Sequence, residues 1–146
     1  MFRTVEAMSK FEQFRRWSLS ESLSFYYVNL ECCAAEFTQT ISCRYDLERF
    51  GIKESQSVAE ANLLVVSGPL SDEAEVELKK VYDQMSSPKW VMSIGGCNCS
   101  GTLFHSKPLE KIFAVDVFVP GCPPRPEAIM YGFLQLQKKI IDRDSA

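Results

Sequence analysis

The sequence predicts a single α/β domain in which a parallel sheet carries helices on its faces. Three observations predict it. Short apolar runs at Leu63 to Ser67 and Trp90 to Ile94 alternate with amphipathic stretches at helical spacing, and the runs end in Gly68-Pro69 and Gly95-Gly96. The connections between runs are long, as parallel neighbours require. With 146 residues, 46% hydrophobic and 24% charged, the chain fills one buried core and not two.

The elements follow in order. Residues 1–22 read as an amphipathic helix or docking segment, with Met8, Phe11, Phe14 and Trp17 beside Arg15 and Arg16. Such a face suits a partner, a membrane surface or the domain's own sheet. Residues 23–146 form the α/β domain proper. Phe25 to Val28 is a first candidate strand. Leu63 to Ser67 is apolar throughout, as expected of a strand buried on both faces. Ser71 to Met85 is a helix: Ser71 is its N-cap, Asp72, Glu73, Glu75 and Glu77 favour its positive end, and Ala74, Leu78, Val81 and Met85 form the apolar stripe. Ser86-Ser87-Pro88 ends it. Trp90 to Ile94 is a second buried strand, Ile112 to Val119 a third, and Ile129, Phe133, Leu136 and Ile140 mark the last helix.

Composition excludes several functions. The net charge of −3 and pI near 5.2 argue against nucleic-acid binding, which wants a concentrated basic face. No apolar run approaches the ~20 residues that span a bilayer, and the N-terminus lacks a secretory signal pattern, so a cytoplasmic chain is expected.

Six cysteines without a signal sequence point to metal binding or redox chemistry rather than structural disulfides. Zinc knuckles of the C-x2-C kind are missing from the sequence, which weakens a structural zinc reading. Cys122 stands in Val119 to Ile129, a loop stiffened by four prolines. Cys97 follows the second buried strand and Cys122 the third, so both belong to the carboxyl edge of the sheet, where such folds bind ligands. Cys32 and Cys33 follow the first candidate strand and could arrive there too. An adjacent pair can serve one site only where the backbone is irregular, and local strain is expected there. Thiolates gathered from separate loops suit an iron–sulfur cluster.

Four blocks then resemble a known family. Glu31-Cys-Cys-Ala-Ala-Glu36, Arg44-Tyr-Asp-Leu-Glu-Arg-Phe-Gly51, Gly95-Gly-Cys-Asn-Cys-Ser-Gly101 and Val115-Asp-Val-Phe-Val-Pro-Gly-Cys-Pro-Pro-Arg-Pro-Glu127 resemble, in order, the signature blocks of the cluster-bearing small subunit of respiratory complex I. Energy-converting nickel–iron hydrogenase small subunits share that superfamily. The resemblance implies a flavodoxin-like fold and one 4Fe-4S cluster on Cys32, Cys33, Cys97 and Cys122. It implies a role as the last electron relay of a multi-subunit oxidoreductase, passing single electrons toward quinone at the junction with a larger subunit. It also implies a ferredoxin-like iron–sulfur partner, membrane subunits, and a peripheral place on the cytoplasmic side of the membrane. Glu36 and Asp46 match the family's acidic positions, with a role in tuning potential or coupling protons.

The chain departs from the pattern in places. Glu31 stands where glycine is usual, Gly101-Thr102 where two glycines are usual, and the stretch between Phe104 and Ile112 is short, so the edge around Cys97 is expected to be trimmed. Hydrogenase small subunits carry C-x-x-C at the first block, whereas this chain has Leu30 at the first of those positions. The tandem pair thus favours the quinone branch, while Leu103-Phe104-His105 and Tyr131-Gly-Phe133 look hydrogenase-like. A hydrogenase-type relay is the alternative, and a cluster-free structural subunit, which would lack ligands, is a third. Cys43 is expected to be a small buried hydrophobe. Cys99 is open between packing, a substitute ligand and oxidation. His105 reads as a surface or interface residue, and Arg125 as a donor to a cluster sulfide or a partner carboxylate. No complete active site is visible in this chain alone.

Overall fold

The structure, a computed structural model, describes residues 10–29, 32–101 and 106–142. Five strands form one parallel sheet: β1 (Leu23–Asn29), β2 (Ile52–Glu54), β3 (Leu63–Ser67), β4 (Trp90–Ile94) and β5 (Val117–Val119), in the order β2-β1-β3-β4-β5. The helices are α1 (Lys10–Ser20), α2 (Ala34–Ile41), α3 (Asp72–Gln84), α4 (Gly96–Ser100) and α5 (Pro126–Asp142). The parallel α/β domain expected from the sequence is therefore the observed one.

Strands β3 and β4 are buried at every residue, which their apolar composition requires. Alternation sends Leu63, Val65, Trp90, Met92 and Ile94 to one face, where they meet Phe37 of α2 and Ile129, Phe133, Leu136 and Ile140 of α5. Leu64, Val66 and Val91 face the other way, onto Leu78 of α3 and Leu109 and Phe113. Phe133 is fully buried, and such a side chain contributes about 1.5–3 kcal/mol by burial. Gly132 allows α5 to sit this close: a Cβ there would meet Val119 Cγ2 at 2.5 Å and Met92 Cε at 2.6 Å. The α3 N-cap is as expected, with Ser71 Oγ accepting from the Ala74 N–H at 3.2 Å.

Two details, the third strand and Cys43, differ from expectation, and α1 shows where its open aromatic face lies. The third apolar run forms a strand only over Val117–Val119, because the Ile112 and Phe113 N–H groups both turn back to the Leu109 carbonyl and Phe113 packs beside Tyr82 instead. Asp116 fixes where the strand starts: its carboxylate accepts from the Val91 N–H at 3.1 Å and pairs with Lys139 of α5 at 3.1 Å. Helix α1 does pack on α5, but with its aromatic stripe turned away. Phe11, Phe14 and Trp17 are exposed by 73%, 62% and 53%, while Leu19 packs against the core and Ser20 is buried. Met8 of the expected stripe lies outside the described residues. Cys43 is exposed rather than buried, since it falls in the turn after α2, beyond the helix face that meets the core.

Among the described residues no helix is long and apolar enough to cross a membrane.

Candidate iron–sulfur site

Three loops leave the same edge of the sheet. Because β1, β3, β4 and β5 run in parallel, the segments after β1, β4 and β5 emerge side by side with the thiols of Cys32 and Cys33, Cys97, and Cys122. Two backbone bonds clamp the second loop to the third. The Gly95 N–H donates to the Val119 carbonyl at 2.9 Å and the Gly96 N–H to the Gly121 carbonyl at 2.7 Å. The chain thus carries sheet pairing one step past the strands before Cys97 turns into α4.

The tandem pair solves its orientation problem with a turn. Cys32 and Cys33 lie between β1 and α2, and Cys33 is the N-cap of α2 at φ −71°, ψ −13°, with its carbonyl accepting from the Phe37 N–H at 3.0 Å. The backbone is irregular, as expected. It is not strained at Cys33, whose dihedrals lie in the ordinary right-handed region, because the onset of a helix supplies the change of direction.

Cys33 and Cys97 are buried, whereas Cys32 and Cys122 are exposed. Burial first, then the Cys32 thiol, and then Cys97 and Cys122 push the Cys33 thiol from its ordinary value near 9 up to about 12. All four thiols therefore act within one electrostatic neighbourhood, and each of the other three opposes the ionisation of Cys33. Gly95 makes the middle of that neighbourhood passable. It has φ +93° and ψ 154°, and a Cβ on it would meet Cys33 Sγ at 2.8 Å.

The flanks carry a polar and an aromatic group. Tyr45 donates its hydroxyl to Glu127 Oε1 at 2.7 Å, joining the turn after α2 to the first turn of α5, just past the Cys122 loop. That bond, then its own backbone, and the charges of Arg125 and Arg44 hold the Glu127 carboxyl below the usual range. Glu36, half-buried in the first turn of α2, contributes to the field at Tyr45, and Asp46 is exposed at φ 49° before the 3-10 turn Leu47–Phe50. On the inner side Tyr27 stacks on Phe37 at 3.8 Å between ring centroids, and its hydroxyl lies 2.7 Å from Ser67 Oγ.

Cys99 faces elsewhere. Its Sγ is 3.6 Å from Ser93 Oγ and 3.8 Å from the Ser93 carbonyl, and burial pushes its thiol up. It is a packed thiol on the β4 side of α4. Glu31, Leu103, Phe104, His105 and Thr102 lie outside the described residues.

Among the described residues no three His, Cys, Asp or Glu side chains close on one metal-ion position. A four-iron cubane attaches each thiolate to a different iron, so its ligands stand wider apart than those of a single ion. The residues present fit such a cluster by donor chemistry, four soft sulfurs, and by the side-chain-free gap at Gly95. One buried group also lacks its partner: Asn98, the neighbour of Cys97, is fully buried and neither atom of its amide makes a hydrogen bond. Such an orphan costs about 1–3 kcal/mol unless something polar is supplied. Sequence reasoning missed Asn98, Tyr27, Ser67 and the Tyr45–Glu127 bond; the last two residues lay inside quoted blocks, but nothing in one-dimensional spacing pairs positions 82 apart.

The chain matches the family model described as NADH ubiquinone oxidoreductase, 20 Kd subunit, over residues 31–136. A chain of the membrane-bound sulfane sulfur reductase, an archaeal respiratory membrane complex, is similar with a TM-score of 0.84 and 30% identity, over 92% of this chain and 78% of that one. A chain of the Dm. baculatum [NiFeSe]-hydrogenase has a TM-score of 0.57 at 15% identity, over 84% of this chain and 64% of that one, which is a likeness of fold.

Proposed function

Since the chain belongs to the NADH ubiquinone oxidoreductase 20 Kd subunit family, we propose that it is the electron-relay subunit of a membrane-associated respiratory oxidoreductase, holding one 4Fe-4S cluster on Cys32, Cys33, Cys97 and Cys122. The observation that carries this reading is that the loops after β1, β4 and β5 bring these cysteines to one sheet edge and into one electrostatic neighbourhood, two buried and two at the surface, with Cys33 Sγ against Gly95. When bound, the cluster supplies a one-electron couple whose potential depends on hydrogen bonds, charge and exposure. Cys33 and Cys97 hold it from within the domain. Cys32 and Cys122 hold it at the surface, where a larger subunit would cover it. Electrons arrive one at a time from a ferredoxin-like iron–sulfur subunit, and two of them with two protons convert one quinone to quinol at the junction with the larger subunit.

Glu36 and Asp46 flank the path to that junction, and Glu36 supports proton coupling because it already shares a field with Tyr45 and Glu127. The exposed aromatic stripe of α1, beside Lys10 and Arg15, supports residues 1–22 as a segment that docks on the membrane part of the assembly on its cytoplasmic side. A second reading differs only in the acceptor. The 30% likeness to a sulfane sulfur reductase chain favours an assembly whose larger subunit reduces sulfur–sulfur bonds rather than quinone. A nickel–iron site is disfavoured by the tandem pair, with Leu30 where a C-x-x-C would begin.

The test is to purify the native complex, measure iron and acid-labile sulfide, and record the electron paramagnetic resonance spectrum of the reduced state. Four irons attributable to this chain, lost in Cys33→Ser, support the reading; an unchanged spectrum in that variant sinks it. A larger partner with two C-x-x-C pairs would move the assembly to the hydrogenase branch. For Glu36, a cluster potential with the same pH dependence in wild type and Glu36→Gln would remove its proton-coupling role.

A further inference from the structure

Strands β1 and β3 pair with Tyr27 opposite Val65 and Asn29 opposite Ser67, so Tyr27 and Ser67 sit two residue pairs apart, on the same face, at the carboxyl end of the sheet. Their hydroxyls are 2.7 Å apart. Two hydroxyls hold two protons, and one bond between them uses one. Among the described residues neither has a second hydrogen-bond partner, and Ser67 is fully buried, so water does not serve it. One O–H is therefore left over at a fixed place. Its direction is constrained because the Tyr27 ring stacks on Phe37, whose N–H is bonded to the Cys33 carbonyl. The geometry identifies what it meets: Ser67 pairs with Ile94, the residue before Gly95, and a Cβ on Gly95 would stand 2.8 Å from Cys33 Sγ. Burial raises the Tyr27 hydroxyl above its ordinary value, Ser67 opposes this, and the Cys33 and Cys32 thiols raise it further, so it stays a protonated donor within their field.

We infer that the Tyr27–Ser67 pair donates its unused hydroxyl proton to the cysteine-held cluster and raises its reduction potential. The inference rests on the iron–sulfur reading above. Reduction adds one negative charge to the cluster and its sulfurs, and a fixed donor stabilises that charge more than the oxidised state. No proton is transferred; the hydrogen bond only strengthens. Tyr27 and Ser67 act as a unit: Ser67 donates to the tyrosine oxygen, which fixes and sharpens the donation of the Tyr27 hydroxyl to the sulfur. A strand clamp without this role would hold β1 to β3 equally well and leave the potential unmoved.

The experiment is a redox titration of the complex followed by electron paramagnetic resonance, with iron and sulfide measured on the same samples. Tyr27→Phe should keep its iron and shift the reduction equilibrium about tenfold toward the oxidised form, as expected for one hydrogen bond to a charged group. For a one-electron couple that is about 59 mV more negative. Ser67→Ala should shift the same way by a smaller or equal amount, and the double variant no further than Tyr27→Phe. In proton double-resonance spectra of the reduced wild type, one coupled proton that exchanges in D2O should vanish in Tyr27→Phe. If Tyr27→Phe fails to load iron, Ser67→Ala, which removes one oxygen atom, decides alone. A loaded variant that titrates at the wild-type potential overturns the inference while leaving the cluster reading intact. A wild-type complex without iron or signal overturns both.

Discussion

Replacing Gly95 by alanine tests the geometry of the site most directly. Gly95 holds φ +93° and ψ 154°, a region occupied almost solely by glycine, and forcing another residue there costs about 1–3 kcal/mol. The added Cβ would also stand 2.8 Å from Cys33 Sγ, whereas ordinary contact begins at 3.4 Å, so the thiol would have to retreat about 0.6 Å. Overpacking of that kind costs a further 1–3 kcal/mol or so, for a total of about 2–6 kcal/mol. The displacement matters more than the energy, because a ligand set tolerates errors of only about 0.5 Å. Iron per complex should fall at least twofold. The control is Gln137→Leu, which loosens the fold at the far end of α5. The Gln137 Nε2 donates to the carbonyls of Ser20 and Phe50 at 2.8 Å each, and orphaning one buried and one half-buried carbonyl costs about 2–4 kcal/mol. Both variants should melt early, by thermal unfolding of the complex, but only Gly95→Ala should lose iron below its melting range. Equal iron in the two variants, or a full complement in Gly95→Ala, would refute the reasoning.

Three further outcomes follow from the same contacts. Cys99→Ser should retain all its iron and its reduced spectrum, because the Cys99 thiol faces Ser93; loss of one iron would return it to the ligand set. The metal-free chain should lose stability on the alkaline side. Cys33 holds its proton more tightly when folded, so its contribution is intact below pH 9, where an ordinary thiol is protonated, and is lost as pH rises from 9 toward 12. Denaturant unfolding across that window should show the decline, and Cys33→Ala should flatten it. Tyr45→Phe should raise the Glu127 carboxyl toward the usual range, because the hydroxyl is the largest influence holding it down; a carbon-13 titration of Glu127 that does not move would show the bond to be unimportant.

How much of this was legible in one dimension depended on the range of the forces involved. Strands β3 and β4 and helices α3 and α5 were readable because burial on both faces leaves an unbroken apolar run, and burial on one leaves a stripe at helical spacing. Strand β2 has three residues, two of them exposed, and α4 has five; neither is long enough to show a period. Ile112 and Phe113 carry strand-like apolarity, yet their core lies on the opposite face of the sheet, and a turn at Leu109 takes them there. The aromatic stripe of α1 was visible, but which side of the helix meets α5 was not, since Leu19 and Ser20 compete with Phe14 and Trp17 on packing geometry alone.

By itself the sequence determined the class of fold and the sheet edge to which Cys97 and Cys122 belong, because apolar periodicity and the order of loops are properties of the chain; the set of four cysteines came from the resemblance of its motif blocks to a family. Only the tertiary structure decided that a helix start turns Cys33 without strain, that Gly95 leaves the gap beside its sulfur, that Cys99 looks away, and that Tyr27 finds Ser67 across 40 positions. Those are relations between side chains brought together by strand pairing, and hydrogen-bond direction and close contact exist only once the sheet is assembled.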